Sequence, residues 1–317
     1  MQLEGERDSD PSLEIFENID RASWAKLIED DTSPLSEAEV VQLRGLGDPL
    51  NLNEVSEVYL PLSRLIYLHL KSVRDLHRRT NAFLDGNGHT TPFVIGIAGS
   101  VAVGKSTVAR LMRELLRRWP DTPTVEMVTT DGFLFPNAEL KKRGLMERKG
   151  FPESYDQRAL LNFVSQVKSG VKEVRAPRYS HVTYDIVPDA EIIIHEPDIL
   201  IVEGLNVLQP PRQGSALAVS DLFDFTIYID ANLDDLEGWY IDRFLALKAG
   251  TFNNPNSYFH RYSSLSNEEA VTEARRIWHA INKPNLVENI EPTRSRANLV
   301  LNKSGNHRVD QIYLRKM

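Results

Sequence analysis

The chain has 317 residues, 41% hydrophobic and 26% charged, which is typical of a folded protein with one large domain or two ordinary ones. Its formal net charge of −8 argues against nucleic-acid binding through bulk electrostatics, and the absence of cysteine excludes disulfides, thiolate metal sites and a cysteine nucleophile. The acidic N-terminal segment is unlike a secretory signal, and the sequence has no apolar run long enough to predict a membrane span. We therefore expect a cytoplasmic protein with no nucleic-acid or membrane partner.

The first part of the chain is predicted to be helical after a disordered start. Residues 1–12 are acidic and polar, and we predict disorder there. Ser36, followed three residues later by a glutamate, predicts the start of a short helix. Apolar side chains at helical spacing over 53–79 predict an amphipathic helix, interrupted or bent at Pro61. Residues 81–92 are predicted to be a linker.

The most informative segment is Gly99-Ser-Val-Ala-Val-Gly104-Lys105-Ser106, which matches the G-x-x-x-x-G-K-[ST] pattern. A β-branched run at 93–98 precedes it and helical spacing at 106–118 follows, so loop amides and a helix N-terminus would face bound phosphates. Lys105 should reach the terminal phosphates and Ser106 should ligate Mg²⁺; the alternative is an ordinary glycine turn with a solvated lysine. The predicted nucleotide-binding residues of this loop are Gly99, Ser100, Val101, Ala102, Val103, Gly104, Lys105, Ser106 and Thr107.

Strands and helices alternate after this loop, which indicates right-handed crossovers around a parallel sheet. The predicted strands are 125–130, 198–203, 224–229 and 297–301, with the tail 308–315 pairing at an edge, and the predicted helices are 157–168, 232–248 and 267–282. We predict an α/β fold: a P-loop NTPase-type three-layer sandwich with a mostly parallel central sheet and additional helices forming a lid. The expected single domain, 13–317, divides into a helical N-terminal part (about 13–90), a nucleotide core (about 91–230), a lid and substrate part (about 231–290) and C-terminal strands (about 297–315).

Two acidic residues lie at the C-terminal ends of predicted strands, at the edge where open α/β sheets bind ligands. Glu203 ends one strand and could hold Mg²⁺ or a water on it, although it could also merely start a loop. Asp131 follows another strand and could accept the proton of an attacking hydroxyl, as the base does in kinases. The alternative for Asp131 is a turn-forming aspartate before a glycine.

The predicted helix 232–248 and the segment after it are rich in aromatic residues. Arg243 shares a helix face with aromatic neighbours, and it could pair with a buried anion or neutralise charge on a phosphoryl group during transfer. The aromatic residues are Tyr240, Phe244, Phe252, Tyr258, Phe259 and Tyr262. Such a cluster is commonly core, but its loop-like setting also suits a substrate wall. The eight histidines show no transition-metal spacing, so we predict no zinc site.

Five motifs together resemble those of bacterial type I pantothenate kinase, a family of P-loop kinases related to uridine kinase and phosphoribulokinase. They are residues 99–106, 129–133, 149–156, 179–181 and 203–208, joined by Glu57-Val-Tyr-Leu-Pro-Leu-Ser-Arg-Leu65. The resemblance runs from about Trp24 to the C-terminus. It implies ATP-dependent phosphorylation of pantothenate to 4′-phosphopantothenate, the first committed step of coenzyme A biosynthesis. It also implies Mg²⁺ with ATP, a homodimer and feedback inhibition by coenzyme A.

The resemblance also implies roles for single residues. Asp131 would be the base, Lys105 and Arg243 would stabilise the transferred phosphoryl group, and Ser106 and Glu203 would serve the magnesium ion. The residues implied to contact pantothenate are Asp131, Tyr179, His181, Tyr184, Tyr240, Arg243 and Asn282. Those implied to accept the pantetheine arm of coenzyme A are Phe244, Phe252, Phe259 and Tyr262, with Arg110 and His181 near the inhibitor's phosphates. Adenine would lie near Lys303 and His307.

Two positions depart from the family pattern. Gly47 stands where some members have an asparagine beside the adenine, and Leu247 stands where some have a phenylalanine touching the inhibitor. The departures bear on nucleotide preference and on the strength of coenzyme A inhibition. A uridine or sugar kinase on the same scaffold and a nucleotide-dependent P-loop switch are the alternative functions.

Overall fold

The structure is a computed structural model that describes residues 14–28, 35–84, 86, 91–211 and 214–316. The segment 1–12, predicted to be disordered, lies outside these residues. The strands are β1 (Phe16–Asp20), β2 (Phe93–Gly99), β3 (Val125–Thr129), β4 (Glu173–Ser180), β5 (Asp185–His195), β6 (Ile199–Glu203), β7 (Phe225–Ala231), β8 (Leu299–Lys303) and β9 (Val309–Arg315). The α-helices are α1 (Arg21–Ala25), α2 (Glu37–Leu43), α3 (Leu52–Glu54), α4 (Leu60–Phe83), α5 (Lys105–Leu116), α6 (Asn137–Lys142), α7 (Gln157–Lys168), α8 (Leu233–Ala249), α9 (Asn267–Ile277) and α10 (Lys283–Asn285).

Seven strands form the central sheet in the order β1-β9-β8-β7-β2-β6-β3. The five strands from β8 to β3 are parallel, while β9 runs antiparallel to both β8 and β1. Every residue of β2 and β6 is buried, as continuous apolar runs in a sheet covered on both faces require. The predicted α/β class with a mostly parallel central sheet flanked by helices is confirmed.

The long N-terminal helix is continuous through Pro61. A π-helical turn over Val55–Tyr59 joins α3 to α4, and the proline occupies the first turn of α4. The turn and the helix bury an apolar stripe that includes Val58, Leu62 and Ile66, which agrees with the predicted amphipathic pattern. The helix continues to Phe83, so it takes up the start of the predicted linker 81–92.

The N-terminal part is not purely helical, which corrects the prediction for 13–90. Strand β1 pairs with β9 in antiparallel register, Phe16 opposite Arg315 and Asp20 opposite Gln311. Only Phe16 of this edge strand is buried, so β1 lacks the apolar run that a sequence pattern would detect. The predicted cap at Ser36 is present as a capping box at the start of α2.

A two-stranded antiparallel hairpin, β4–β5, stands apart from the central sheet and was not predicted. It packs on the turn that follows β3, where a Cβ added to Gly132 would lie 2.3 Å from the Pro177 carbonyl oxygen. Only a residue without a side chain allows this approach. The contact brings the hairpin's aromatic tip to the carboxyl edge of the parallel sheet.

Two apolar clusters support the site. The main core spans both faces of the sheet, and a smaller cluster forms around Phe244, Phe252 and Tyr262 with two alanines of α9. The smaller cluster joins α8, the loop that follows it and α9 into one packed unit. Among the helices in the described part of the chain, none is long and apolar enough to cross a membrane.

Candidate active site

The phosphate-binding loop connects β2 to α5 and is shaped by residues with positive φ. Gly99 has φ +145°, and a Cβ there would lie 2.5 Å from the Ile229 carbonyl oxygen of β7. Gly104 adopts φ +99° immediately before the helix, and Ala102 is also left-handed at φ +64°. A tight loop therefore delivers its amides and the N-terminus of α5 to one place, an arrangement suited to phosphate.

Lys105 begins α5 and its side chain folds back over the loop. Its Nζ donates a hydrogen bond to the Ser100 carbonyl oxygen at 2.7 Å. Burial lowers the pKa of Lys105 to about 8, although the charges of Glu203 and Asp131 act in the opposite direction. The loop thus holds a poorly solvated ammonium group that a polyanion would stabilise.

Two carboxylates stand at the carboxyl edge of neighbouring parallel strands. Glu203 ends β6 opposite Thr129 of β3, and Asp131 lies in the 3₁₀ turn directly after β3. The Ser106 hydroxyl donates to Glu203 Oε1 at 3.0 Å. Burial raises the pKa of Glu203 and the charge of Asp131 adds to the effect, while Lys105 opposes it.

Most of the predicted catalytic and substrate residues line a single cavity of about 600 Å³. The predicted residues on its wall are Val101, Ala102, Lys105, Ser106, Asp131, Tyr179, His181, Tyr184, Glu203, Tyr240, Arg243, Phe244, Phe252, Phe259, Tyr262 and Asn282. Leu247 lines it as well. The phosphate loop, the two carboxylates and the aromatic segment therefore share one chamber.

The aromatic wall is assembled from two elements distant in sequence. The hairpin tip meets the segment after α8 where the Tyr258 amide donates to the Val182 carbonyl oxygen at 2.8 Å. The Tyr184 ring contacts the Phe259 ring edge-on, with centroids 4.8 Å apart. Burial raises the pKa of Tyr240, on α8, to about 12, so its hydroxyl remains a donor at neutral pH.

Lys149 is a cavity residue that sequence reasoning missed as a site residue. Its Nζ donates to Asn137 Oδ1 at 2.7 Å and to the Tyr184 carbonyl oxygen, and it lies 3.9 Å from the centroid of the Tyr184 ring. Burial lowers the pKa of Lys149 to about 8. The sequence indicates Lys149 only through its place at the start of the motif 149–156. A lone lysine in a loop is usually solvated, so it was not predicted as a site residue.

A second cavity, of about 130 Å³, lies behind the phosphate loop and is lined by Thr107, Lys303 and His307. The His307 ring stacks on Trp239, with centroids 4.0 Å apart and planes inclined by 20°. A Cβ added to Gly104 would lie 2.9 Å from Lys303 Nζ, so this buried lysine reaches the back of the loop. The pocket therefore adjoins the phosphate loop.

Two other residues stand apart from the main cavity. Arg110 lies outside its lining, and it donates to the Leu43 carbonyl oxygen at 3.1 Å and to Thr107 Oγ1 at 3.4 Å. A Cβ on Gly47, at φ +80°, would meet nothing within 4 Å. Within the described ranges, no three histidine or acidic side chains gather to hold a metal ion.

The mostly parallel sheet and the lysine-bearing phosphate loop beside a large cavity are the features of a P-loop kinase. The Phosphoribulokinase / Uridine kinase family matches residues 94–246. D-glycerate 3-kinase from Cryptococcus neoformans var. grubii shares the fold, with a TM-score of 0.54 at 13% identity over 78% of this chain and 97% of that one.

Relatives that match nearly the full length of the chain show to which family of P-loop kinases it belongs. A protein named pantothenate kinase from Clavibacter michiganensis is 63% identical over 313 residues, covering 99% of this chain and 98% of the relative. One of the same name from Streptomyces coelicolor is 54% identical over 313 residues, covering 97% and 95%. The chain belongs to the pantothenate kinase family, which confirms the resemblance drawn from its motifs.

Proposed function

We propose that this protein transfers the γ-phosphoryl group of ATP to the hydroxyl of pantothenate, forming 4′-phosphopantothenate and ADP. The observation that carries the proposal is the single chamber shared by the phosphate loop, Asp131 and the aromatic wall. A donor and an acceptor held together in this way react as one unit, so positioning supplies much of the rate.

The transfer needs little covalent chemistry from the protein. Loop amides and Lys105 hold the terminal phosphates while the pantothenate oxygen attacks the γ-phosphorus in line. The bond from that phosphorus to the bridging oxygen of ADP breaks, and Asp131 accepts the hydroxyl proton. Arg243, which lines the same cavity, neutralises charge on the transferring oxygens.

Ser106 and Glu203 fit a magnesium ion. Their hydroxyl and carboxylate oxygens lie 3.0 Å apart, and hard oxygen donors of this kind suit Mg²⁺, which takes its other ligands from phosphates and water. The ion, when bound with ATP, supplies positive charge against the phosphates. Lys303 and His307, in the second cavity behind the loop, are proposed to contact the adenine.

The acceptor half of the chamber favours pantothenate over the alternatives. Tyr179, Tyr184 and Tyr240 give an apolar wall with hydroxyls at intervals, and His181 and Asn282 add polar groups beside it. That mixture suits an aliphatic chain bearing amide and hydroxyl groups better than a ribose. A nucleotide switch would have no use for an acceptor chamber of this size.

The proposal extends to assembly and regulation. We propose a cytoplasmic homodimer whose residues 13–317 act as one kinase domain, with feedback inhibition by coenzyme A. The pantetheine arm of the inhibitor would lie against the aromatic residues Phe244, Phe252, Phe259 and Tyr262, whose rings contact one another. Arg110 and His181 would approach its phosphates.

The test is ADP release from MgATP with pantothenate, with uridine or with no acceptor. We expect ADP only with pantothenate, and acceptor-independent hydrolysis or a preference for uridine would refute the proposal. Asp131→Asn should lower kcat by about 10²- to 10⁴-fold, because it removes the proton acceptor, and leave the Kd for MgATP unchanged. A near-normal kcat in this variant would remove Asp131 from the base role.

A further inference from the structure

Two hydroxyls beside the active-site carboxylates are buried without hydrogen-bond partners among the described residues. They are Thr130 Oγ1 and the Tyr155 hydroxyl. Thr130 is 2% exposed and Tyr155 is 3% exposed. Buried hydroxyls in folded proteins nearly always have partners, so two unpaired ones at the edge of an active site require an explanation.

The backbone fixes Tyr155 to the turn that carries Asp131. Tyr155 forms an isolated antiparallel bridge with Leu134, and the next amide, of Asp156, donates to the Phe133 carbonyl oxygen at 2.7 Å. Tyr155 therefore lies on the same rigid unit as the proposed base, and its side chain lines the same cavity.

Thr130 is fixed between the two carboxylates. It immediately precedes Asp131, and its hydroxyl lies so close to the backbone after Glu203 that a Cβ on Gly204 would be 1.9 Å from it. Burial, the largest effect, raises the pKa of Tyr155 well above its usual value, and the charge of Asp131 adds to this, while the nearby Thr130 hydroxyl acts in the opposite direction. Tyr155 thus remains protonated and able to donate.

Counting donors shows that one O–H of this pair is left over. Two hydroxyls carry two O–H groups, and a hydrogen bond between them uses only one. Three carboxylates line the cavity, Asp131, Glu147 and Glu203, and of these the charges of Asp131 and Glu203 act on the Tyr155 hydroxyl. Glu203 already accepts from Ser106. The Asp131 carboxylate accepts no hydrogen bond within the part of the chain that the structure describes, so it is the available acceptor.

We propose that Tyr155 is a positioning residue for phosphoryl transfer. In the substrate complex, the hydroxyl pair of Tyr155 and Thr130 donates its remaining O–H to the Asp131 carboxylate. This hydrogen bond directs the carboxylate at the acceptor hydroxyl. A phenylalanine would fill the same space without a buried unpaired hydroxyl. We therefore infer that the Tyr155 hydroxyl forms its hydrogen bond during the reaction. The inference rests on the base role proposed for Asp131.

The test is Tyr155→Phe, which removes the hydroxyl and keeps the ring. We expect kcat to fall about 10- to 100-fold, the range for a hydrogen bond to a charged group, with both KM values within about threefold. The melting temperature should stay unchanged or rise, because an unpaired buried hydroxyl is gone. A hydroxyl with a structural role only would lower stability instead and leave kcat unchanged.

Three further variants test the same proposal: Thr130→Val, its combination with Tyr155→Phe, and Tyr228→Phe. Thr130→Val keeps the shape of the side chain, and adding it to Tyr155→Phe should cost no further activity, because the two hydroxyls act as one unit. Tyr228→Phe makes the same change at a buried tyrosine of β7 outside the cavity lining and should leave kcat within about twofold.

Two outcomes overturn the inference and are distinguishable. If Asp131→Asn is inactive while Tyr155→Phe keeps kcat within twofold of the unmodified protein, the positioning role is wrong and the base role stands. If Asp131→Asn stays active, the base role is wrong and the inference falls with it.

Discussion

The depressed pKa of Lys105 predicts that nucleotide binding weakens at alkaline pH. With a pKa of about 8 in the free protein, the ammonium is about nine-tenths protonated at pH 7 and about one-tenth protonated at pH 9. A bound triphosphate stabilises the charged form and raises this pKa, so binding is strongest below pH 8 and weakens as pH rises from there towards the raised pKa of the complex. The Kd for MgATP should therefore increase about tenfold between pH 7 and pH 9.

Isothermal titration of MgATP without pantothenate measures this effect directly. Repeating the titration in buffers of different ionisation enthalpy should show an uptake of about 0.1 proton per site at pH 7 and about 0.9 at pH 9. Lys105→Arg keeps its charge over this range, so it should bind more weakly but lose the pH slope.

A second lysine provides the matched control. Lys149 lines the same cavity and its pKa is also lowered to about 8, but it contacts the hairpin rather than the phosphate loop. Lys149→Met should therefore keep the pH slope of MgATP binding. A flat affinity between pH 7 and pH 9 without proton uptake, or a slope that persists in Lys105→Arg, would refute the assignment.

The remaining predictions concern stability. Gly204→Ala should lower the free energy of unfolding by about 1–3 kcal/mol in urea denaturation, because its Cβ would lie 1.9 Å from Thr130 Oγ1. Arg21→Ala should cost about 3–5 kcal/mol, because Glu54 is buried and would lose the guanidinium group that pairs with it.

Each of these substitutions has a control in the same chain. Gly238→Ala on α8 meets nothing within 4 Å and should be neutral or stabilising by up to about 1 kcal/mol, so a similar loss at both glycines would contradict the clash. Arg79→Ala removes an exposed arginine paired with Asp75 and should cost at most about 1 kcal/mol. Equal losses at Arg21 and Arg79 would show that burial of the first pair is not decisive.

The elements with strong local signals were predictable from the sequence. Helix α7 occupies the predicted residues 157–168, and the buried strands β2 and β6 are where their apolar runs placed them. The phosphate loop was predictable because its glycines and its lysine form a contiguous pattern. In each case the information lies within a few neighbouring residues.

The parts that were missed depend on contacts between distant segments. The hairpin β4–β5 alternates weakly, and nothing near Gly132 in sequence reveals that Pro177 will pack on it. Lys149 enters the site only because Asn137 and the Tyr184 carbonyl oxygen anchor its ammonium group. The geometry of the acceptor chamber is therefore a tertiary property that single-sequence reasoning could not supply.

The pairing of β1 with β9 affects how the protein is made. Arg21, which directly follows β1, donates a hydrogen bond to the carbonyl oxygen of Val309, which lies 288 positions later in the chain. During translation β1 leaves the ribosome long before β9 exists, so this edge of the sheet forms only after β9 has been synthesised. We expect newly synthesised chains to keep that edge open until β9 has left the ribosome, which makes it the place where a chaperone would be needed.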